Sequence, residues 1–307
     1  MKGGVLALGN FDGVHKGHQA VIKAAVEKAR EKDVSSRVLT FEPHPRTFFQ
    51  PNSVPFRLTP PDVKERLLTR CGINDIIRLP FTPELAQMPA ETFIEKVLLE
   101  RYAAEHVVAG HDFVFGHNRD GTMEKLKTFL EPHGIGVTEI EEKGDDGEGF
   151  SSTRVRELLL EGDAEGAAKI LGRYWSLEGP VVKGSTIGGK TLGFPTANLS
   201  LGPYLRPKFG VYTIRAGKIG GDLPIYGVAN IGLRPTVNGK KENLEAFLFD
   251  FDREIYGEEW EFALTHFIRA EKKFDSLDEL KAQIAKDVEA ARAYLASNVS
   301  LPPFCCA

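Results

Sequence analysis

Apolar residues in the first half of the chain follow two alternating patterns. Short apolar or β-branched runs predict strands at Val5–Leu8, Arg37–Phe41, Asp75–Leu79, His106–Ala109 and Gly136–Ile140. Between these runs, apolar residues three or four positions apart predict helices over about 18–30, 62–71, 90–102 and 124–130. Strands that alternate with helices are typical of a parallel sheet covered on both faces, which binds its ligands at the carboxyl ends of the strands.

The pattern changes near Gly172. From Trp175 to about His266, short β-rich runs are separated by glycine and proline, and no long helical pattern interrupts them. Several short strands with turn signals predict a small antiparallel barrel or sandwich. A capping box at Ser276–Glu279 then predicts a terminal helix that ends near Ala296.

Two domains are therefore predicted, residues 1–172 and residues 173–307. The acidic, glycine-rich residues 141–149 predict a mobile loop within the first domain, because residues 151–163 continue the helical pattern. The last residues, SLPPFCCA, are predicted to be frayed.

Composition narrows the class of protein. The 307 residues are 42% hydrophobic and 27% charged, which is ordinary for a soluble globular chain. The net charge of −4 argues against nucleic acid as the main partner, and no apolar run approaches the ~18 residues of a membrane span. Three cysteines cannot build a disulfide framework. We expect a cytoplasmic protein, a monomer or weak homo-oligomer, with no nucleic-acid or membrane partner.

A first candidate site is GNFDGVHKGH at residues 9–18, between a predicted strand and a predicted helix. Its glycines allow backbone amides to approach a ligand, and a helix start suits a phosphate. His15 and His18 are three residues apart and can face the same side of the first turn. These features predict a nucleotide-handling turn. The plain alternative is a surface turn with two histidines. Zinc is disfavoured because no cysteine accompanies the histidines and their spacing fits no structural zinc site.

A second glycine-rich segment, GSTIGGKT at residues 184–191, matches the P-loop pattern letter for letter. A P-loop must open a helix, but two prolines and two glycines in residues 192–203 exclude a regular helix there. The neighbouring strands also read as antiparallel. We therefore reject a P-loop NTPase.

The motifs taken in order resemble one protein family. GNFDGVHKGH at 9–18, FEPHP at 41–45, GHDFVFGHNRDG at 110–121, SSTRVR at 151–156 and GFPTAN at 193–198 are similar to segments of the bacterial bifunctional riboflavin kinase/FAD synthetases. The resemblance covers nearly the whole chain. It implies a Rossmann-like HxGH nucleotidyltransferase domain followed by a riboflavin kinase-like barrel with a terminal helix. The barrel would phosphorylate riboflavin with MgATP to FMN, and the first domain would transfer AMP from ATP to FMN, giving FAD and pyrophosphate.

For the first domain, the resemblance implies three groups of site residues. His15, His18 and Arg156 would act in catalysis. Nucleotide-binding residues would be Gly9, Asn10, Phe11, Gly17, Ser151, Ser152 and Thr153. The flavin pocket would include His44, Asp112, Phe113 and Arg119. An ordinary helix cap is the alternative for SSTRVR, and core packing is an equal alternative for Phe113.

For the second domain, the resemblance implies that Gly184, Gly189, Gly193 and Pro195 hold the nucleotide. Thr196 and Asn198 would hold Mg²⁺, a hard cation that takes oxygen donors. The residue that would contact the flavin is Arg269, although a solvated charge run explains that segment equally well.

The phosphorylated hydroxyl needs a base, because a primary alcohol has a high pKa. The candidate is Glu245, with Asp250 and Asp252 as rivals. The chain departs from the family at Phe247, where histidine is common; period two places this residue on the face of Glu245, one position further along, and we expect it to face away from ATP.

Two other functions compete with this interpretation. Another HxGH adenylyl- or cytidylyltransferase would explain the first domain but leaves GFPTAN and Glu245 unexplained. If the chain were a non-catalytic flavin-binding regulator with the same fold, some site residues should be replaced, whereas the residues named above are all present.

Overall fold

The structure, a computed structural model, describes residues 3–141, 144–145, 148–183, 196–236 and 239–297. The described chain forms two compact units. Unit 1 holds residues up to Val54 and Thr59–Ser152, and unit 2 holds Pro55–Leu58 and the residues from Thr153 onward. The predicted domain boundary after residue 172 stays a prediction.

Unit 1 is built on a parallel sheet of five strands in the order β3-β2-β1-β4-β5. The strands are β1 Val5–Leu8, β2 Ser36–Glu42, β3 Asp75–Pro80, β4 His106–Gly110 and β5 Gly136–Ile140. All five predicted strands are thus confirmed to within one or two residues. The order reverses between β1 and β4, which is where open α/β sheets bind ligands.

Helices connect these strands. They are α1 Lys16–Lys32, α2 Pro45–Phe49, α3 Pro61–Arg70, α4 Pro83–Ala86, α5 Ala90–Thr92 and α6 Met123–Leu130. A π-helical segment, Phe93–Arg101, continues α5, and short 3₁₀ turns occur at His117–Arg119 and Glu131–His133. Apolar residues of α1 at helical spacing are buried against β1, β2 and β4. A separate cluster that includes Leu6, Phe93 and Leu126 covers the sheet from the π-helical segment and α6.

The acidic segment after β5 contains more structure than the sequence predicts. Two short strands, β6 Gly144–Asp145 and β7 Glu148–Gly149, pair antiparallel. Helix α7 follows at Ser152–Glu161 and α8 at Ala164–Leu171.

Unit 2 contains a seven-stranded antiparallel sheet in the order β8-β14-β11-β12-β13-β10-β9. The strands are β8 Ser176–Pro180, β9 Val182–Lys183, β10 Thr196–Ser200, β11 Gly210–Lys218, β12 Ile225–Thr236, β13 Gly239–Leu248 and β14 Glu259–Ala270. The edge strands β8 and β9 are separated in sequence only by Val181, so the sheet curls until its edges meet. The predicted barrel is confirmed as a nearly closed one.

The inward face of this barrel is apolar, as strand alternation requires. Leu199, Ile214, Ile231, Leu244 and Leu264 are at most 1% exposed. The terminal helix α9, Leu277–Ser297, packs its Val288 and Ala291 against an outer patch of the sheet. Its start carries the predicted cap, since the Glu279 amide donates to Oγ of Ser276 at 3.2 Å.

The structure differs from the predicted elements in a few places. The helix predicted over 90–102 is mostly π-helical, and α2, α4, α8 and β10 were not predicted. None of the described helices has both the length and the apolar character that crossing a membrane requires. The tail SLPPFCCA lies outside the described residues.

Candidate active sites

Three motifs of the first half meet at the carboxyl edge of the parallel sheet. Residues 9–18, here called the histidine turn, follow β1 directly. FEPHP spans the end of β2, and GHDFVFGHNRDG begins at the last residue of β4. Since β2 and β4 flank β1, segments that are about a hundred residues apart in sequence border the same crevice.

The histidine turn has an unusual backbone. Phe11, Gly13 and Val14 have φ of 51°, 85° and 45°. A left-handed conformation is rare for a β-branched residue such as valine and marks real strain. The carbonyl of Asn10 accepts hydrogen bonds from Oγ1 of Thr40 at 3.2 Å and Nζ of the buried Lys64 at 3.1 Å. The strained turn is therefore anchored from the sheet and from α3.

The two histidines lie at the start of α1. His15 is the N-cap residue, and its Nδ1 accepts a hydrogen bond from the His18 amide at 3.4 Å. The two rings stack with 3.7 Å between their centroids, and the ring of Phe11 lies 5.2 Å from that of His18. A Cβ at Gly17 would lie 3.1 Å from the His15 ring and from the Phe150 carbonyl, so glycine permits this packing.

The SSTRVR segment begins next to the histidine turn. Oγ of Ser152 donates to the backbone carbonyl of Asp12 at 2.8 Å. Ser151 directly precedes the first residue of α7, and Thr153 is exposed in its first turn. Arg156 lies one turn further along α7, in unit 2, where its Nε donates to the Phe56 carbonyl at 2.9 Å.

The predicted flavin residues of unit 1 occupy the same strand ends. His44 caps α2 by accepting from the Arg46 amide at 3.0 Å. Asp112 and Arg119 are exposed beyond β4, and Arg119 has a φ of 60°. Phe113 is partly buried and stacks on Phe115 with 5.6 Å between ring centroids.

The second site lies on one face of the barrel sheet. In the register of β10 and β13, Asn198 pairs with Glu245 and Thr196 with Phe247, while Asn230 of β12 pairs with Glu245 from the other side. Oγ1 of Thr196 donates to Oε1 of Glu245 at 2.8 Å. The buried Asn198 accepts at Oδ1 from Nδ2 of Asn243 at 2.9 Å, and this bond orients its amide.

The rival bases lie elsewhere. Asp250 and Asp252 are exposed in the segment after β13. Asp250 pairs with Arg292 of α9, whose hydrogen bond and positive charge lower the pKa of that carboxyl. Of the three acidic candidates, Glu245 is the one that shares a strand pair with Thr196 and Asn198.

Two further predicted positions have structural contacts. Phe247 lies opposite Thr196 in the strand register and packs against Phe249, in the cluster that includes Val288 of α9. Arg269 donates from Nε and Nη2 to both carboxylate oxygens of the buried Asp287, at 2.8 and 2.6 Å. Gly184, Gly189, Gly193 and Pro195 lie outside the described residues.

The donor set at the second site suits a magnesium ion. A hydroxyl, an amide carbonyl and a carboxylate come from Thr196, Asn198 and Glu245, and each offers oxygen. Mg²⁺ prefers oxygen ligands and keeps several waters, so a few protein donors are sufficient.

Comparison with known proteins decides the family. Residues 1–154 match the family model for FAD synthetase, and residues 171–295 match the model for riboflavin kinase. The chain belongs to the bifunctional riboflavin kinase/FMN adenylyltransferase family. It thus combines riboflavin kinase and FMN adenylyltransferase activities, which produce FMN and FAD from riboflavin and ATP.

Members of this family resemble the chain along almost its full length. The Escherichia coli K12 bifunctional riboflavin kinase/FMN adenylyltransferase is 38% identical over 95% of this chain and 93% of its own. The Haemophilus influenzae protein of the same name is also 38% identical, over 97% and 96%, and that of Bacillus subtilis 36% identical, over 95% and 93%.

A solved structure is similar to this chain along almost its full length. The crystal structure of a macrolide-efflux protein from Streptococcus pneumoniae matches with a TM-score of 0.83 and 32% identity, covering 95% of this chain and 94% of that chain. The parallel sheet and the nearly closed barrel therefore occur together in another solved protein.

Sequence reasoning missed several residues that build the first site. Asp12, Thr59 and Lys64 are buried and hydrogen-bonded to the histidine turn or within it. Asp12 was visible inside GNFDG, but Thr59 and Lys64 belong to a segment without any motif. Their proximity to the turn is a product of the fold.

Proposed function

We propose that the histidine turn and the start of α7 carry the adenylylation of FMN. A phosphate oxygen of FMN attacks the α-phosphorus of ATP, and the bond from that phosphorus to pyrophosphate breaks. The attacking phosphate is already anionic at neutral pH, so this site needs no strong base. Its task is to bring polyanions together and to stabilise the charge that moves onto pyrophosphate.

The stacked histidines at the start of α1 support this proposal. Because Nδ1 of His15 accepts from the His18 amide, neutral His15 carries its proton on Nε2, the atom that would donate to a phosphate oxygen. The N-terminus of α1 adds a partial positive charge. The nucleotide site would be shaped by Gly9, Asn10, Phe11 and Gly17. Phosphate groups would be bound by residues in α7 or directly before it, namely Ser151, Ser152, Thr153 and Arg156.

We further propose that His44, Asp112, Phe113 and Arg119 border the flavin. They lie at the ends of β2 and β4, the strands on either side of β1. An aromatic ring such as Phe113 can stack on a flat ring system, and Arg119 can pair with an anionic group.

In unit 2 we propose that Glu245 is the base of the kinase reaction. The ribityl hydroxyl oxygen attacks the γ-phosphorus of ATP, the hydroxyl proton passes to Glu245, and ADP leaves. The observation that carries this assignment is the 2.8 Å hydrogen bond between Thr196 and Glu245, with Asn198 paired opposite the same glutamate. This arrangement places a carboxylate beside the two residues proposed for the metal.

Thr196 and Asn198 would hold Mg²⁺, and the bound ion would neutralise charge on the phosphates of ATP. Arg269 would act in flavin binding at the end of β14. Gly184, Gly189, Gly193 and Pro195 would bind the nucleotide of the kinase reaction, as the family resemblance implies. A cytoplasmic location, a monomer or weak homo-oligomer and the division after residue 172 remain predictions.

Hydrogen exchange with ligands tests the placement of both sites. We expect ADP with Mg²⁺ and riboflavin to slow amide exchange in peptides covering 196–200 and 243–247. ATP with FMN should slow exchange in peptides covering 9–18 and 151–156. If the substrates of one reaction slow exchange only in other segments, the proposed location of that active site is wrong. Chromatography of the flavin products verifies that the same preparation makes FMN and FAD.

A further inference from the structure

The histidine turn needs a support that its own sequence does not contain. Phe11 and Val14 hold left-handed backbone conformations, which are unfavourable for residues other than glycine and persist only when surrounding contacts enforce them. The residues that require accurate placement, His15 and His18, follow directly. The support must therefore act between Phe11 and His15.

Thr59 supplies bonds at that place. Its amide donates to Oδ1 of Asp12 at 2.9 Å, and its Oγ1 donates to the same carboxylate oxygen at 3.1 Å. Oγ1 of Thr59 also accepts a hydrogen bond from the Gly13 amide at 2.9 Å. Thr59 thus forms hydrogen bonds with two consecutive residues of the turn, with the side chain of Asp12 and with the backbone amide of Gly13.

Thr59 is well placed to act as a fixed point. It is 2% exposed, and Asp12 is 4% exposed, so water competes little for these bonds. Pro60 directly follows Thr59 and restricts its backbone, and α3 begins at Pro61. The hydroxyl is held where the turn needs it.

Asp12 passes this constraint to the other half of the site. Its side chain binds Thr59, while its backbone carbonyl accepts from Oγ of Ser152. The same residue therefore sets the distance between the histidine turn and the start of α7, the two segments proposed to hold phosphates.

We infer that Thr59 is a positioning residue for FMN adenylylation, acting through Asp12 and Gly13 on the placement of His15, His18 and Ser152. The inference rests on the proposed function of the histidine turn. Thr59 touches neither substrate in this account. Its contribution is to hold a strained turn in the geometry that the transition state requires.

The test compares three variants in the full-length chain. Thr59→Val removes the hydroxyl but keeps the shape of the side chain and the hydrogen bond from the backbone amide to Asp12. Thr59→Ser keeps the hydroxyl. The matched control is Thr138→Val, which removes another hydrogen-bonded hydroxyl of unit 1, one that contacts His106 at the first residue of β4. For each variant we would measure kcat and the KM for ATP in FMN adenylylation, riboflavin phosphorylation by the same chain, and amide exchange by peptide.

We expect Thr59→Val to lower kcat of adenylylation about tenfold, because even a displacement well below 1 Å weakens interactions made in the transition state. The KM for ATP should change less than kcat. Amide exchange should accelerate in residues 12–18 and stay unchanged in the strands of the sheet. Thr59→Ser should restore the rate, and Thr138→Val should leave it unchanged.

Two results would overturn the inference. One is a Thr59→Val protein with normal kcat. The other is an equal loss in Thr59→Val and Thr138→Val with faster exchange through the whole sheet, which indicates a general loss of stability. A parallel His15→Ala variant separates the two levels of the argument. If His15→Ala adenylylates FMN normally, the proposed site fails and this inference with it; if only Thr59→Val is normal, the site stands and this inference alone fails.

Discussion

The two candidate sites of this chain are built in different ways. In unit 1, site residues follow the ends of parallel strands, so Asp12 and Ser152 meet although 140 positions separate them. In unit 2, Thr196, Asn198 and Glu245 project from two paired antiparallel strands, and their proximity follows from strand register. A parallel sheet collects loops at one edge, whereas a barrel presents alternate side chains on a face.

This difference affects what each site tolerates. A loop site depends on the conformation of a few strained residues, here Phe11 and Val14. A strand-face site depends on the register of the sheet, which the buried residues Leu199, Leu244 and Ile231 specify from the opposite face. Substitutions should therefore separate the two activities, because the hydrogen bonds that support the histidine turn lie within unit 1 and those around Glu245 lie within unit 2.

The largest expected effect is in the barrel. Glu245→Gln should lower riboflavin phosphorylation about 10³-fold, because the amide cannot accept the hydroxyl proton. Formation of FAD from supplied FMN should continue at its normal rate. Separate assays with riboflavin and with FMN measure both. As a control, Asp250→Asn removes a rival carboxylate and should leave both rates unchanged. A large loss of phosphorylation in that variant would indicate that Asp250 is the base instead.

The complementary experiment changes the loop site. His15→Ala should lower FMN adenylylation by about 10²-fold, the usual effect of losing one donor to developing charge. Riboflavin phosphorylation by the same molecule should be unaffected. His133→Ala, an exposed histidine bonded to the Phe129 carbonyl, is the control. Loss of both activities in His15→Ala would mean that the two sites are not energetically separate.

A third experiment tests Arg269, which the sequence associates with flavin. Arg269→Ala leaves the carboxylate of Asp287 buried without its guanidinium partner, which should lower the free energy of unfolding of unit 2 by about 3 kcal/mol. Arg292→Ala breaks a similar two-bond pair with Asp250, whose side chain is 80% exposed, and should lower the free energy of unfolding far less, because water screens an exposed ion pair. Denaturant titration compares the two variants. Equal losses would contradict the structural role of Arg269, and a raised KM for riboflavin in Arg269→Ala would add a role in flavin binding.

The smallest expected effect is a pH dependence confined to unit 1. Burial lowers the pKa of His106 below its ordinary 6.5, and Lys28 and Lys32 lower the pKa further. The unfolded chain therefore binds this proton more readily than the folded chain. The free energy of unfolding is thus highest above about pH 6.5 and falls as the pH decreases toward the pKa of the folded state. Thermal unfolding followed between about pH 7.5 and 5.5 measures the trend. The slope should decrease in His106→Gln; an unchanged slope would assign the dependence to other groups.

Much of the fold was predictable from local pattern. Buried parallel strands read as apolar runs, and α1 shows its apolar residues at helical spacing, so the α/β unit followed from the sequence. Helix α8 was predictable too, since Asp163 caps its start and Gly172 adopts a left-handed conformation after its end, but the prediction passed over these signals. Strand β10 was harder, because GFPTAN has the composition of a turn and its pairing with β13 is not a local property.

The sequence by itself determined the two fold classes, the family resemblance and the identity of the residues proposed for chemistry, since each rests on residue type and spacing along the chain. Only the tertiary structure decided which of these residues meet. It joined Glu245 to Thr196 by a hydrogen bond, engaged Arg269 with Asp287, and placed Thr59 under the histidine turn. The physical reason is that hydrogen bonds and strand register join residues across tens of positions, and such contacts leave no periodic trace in either segment.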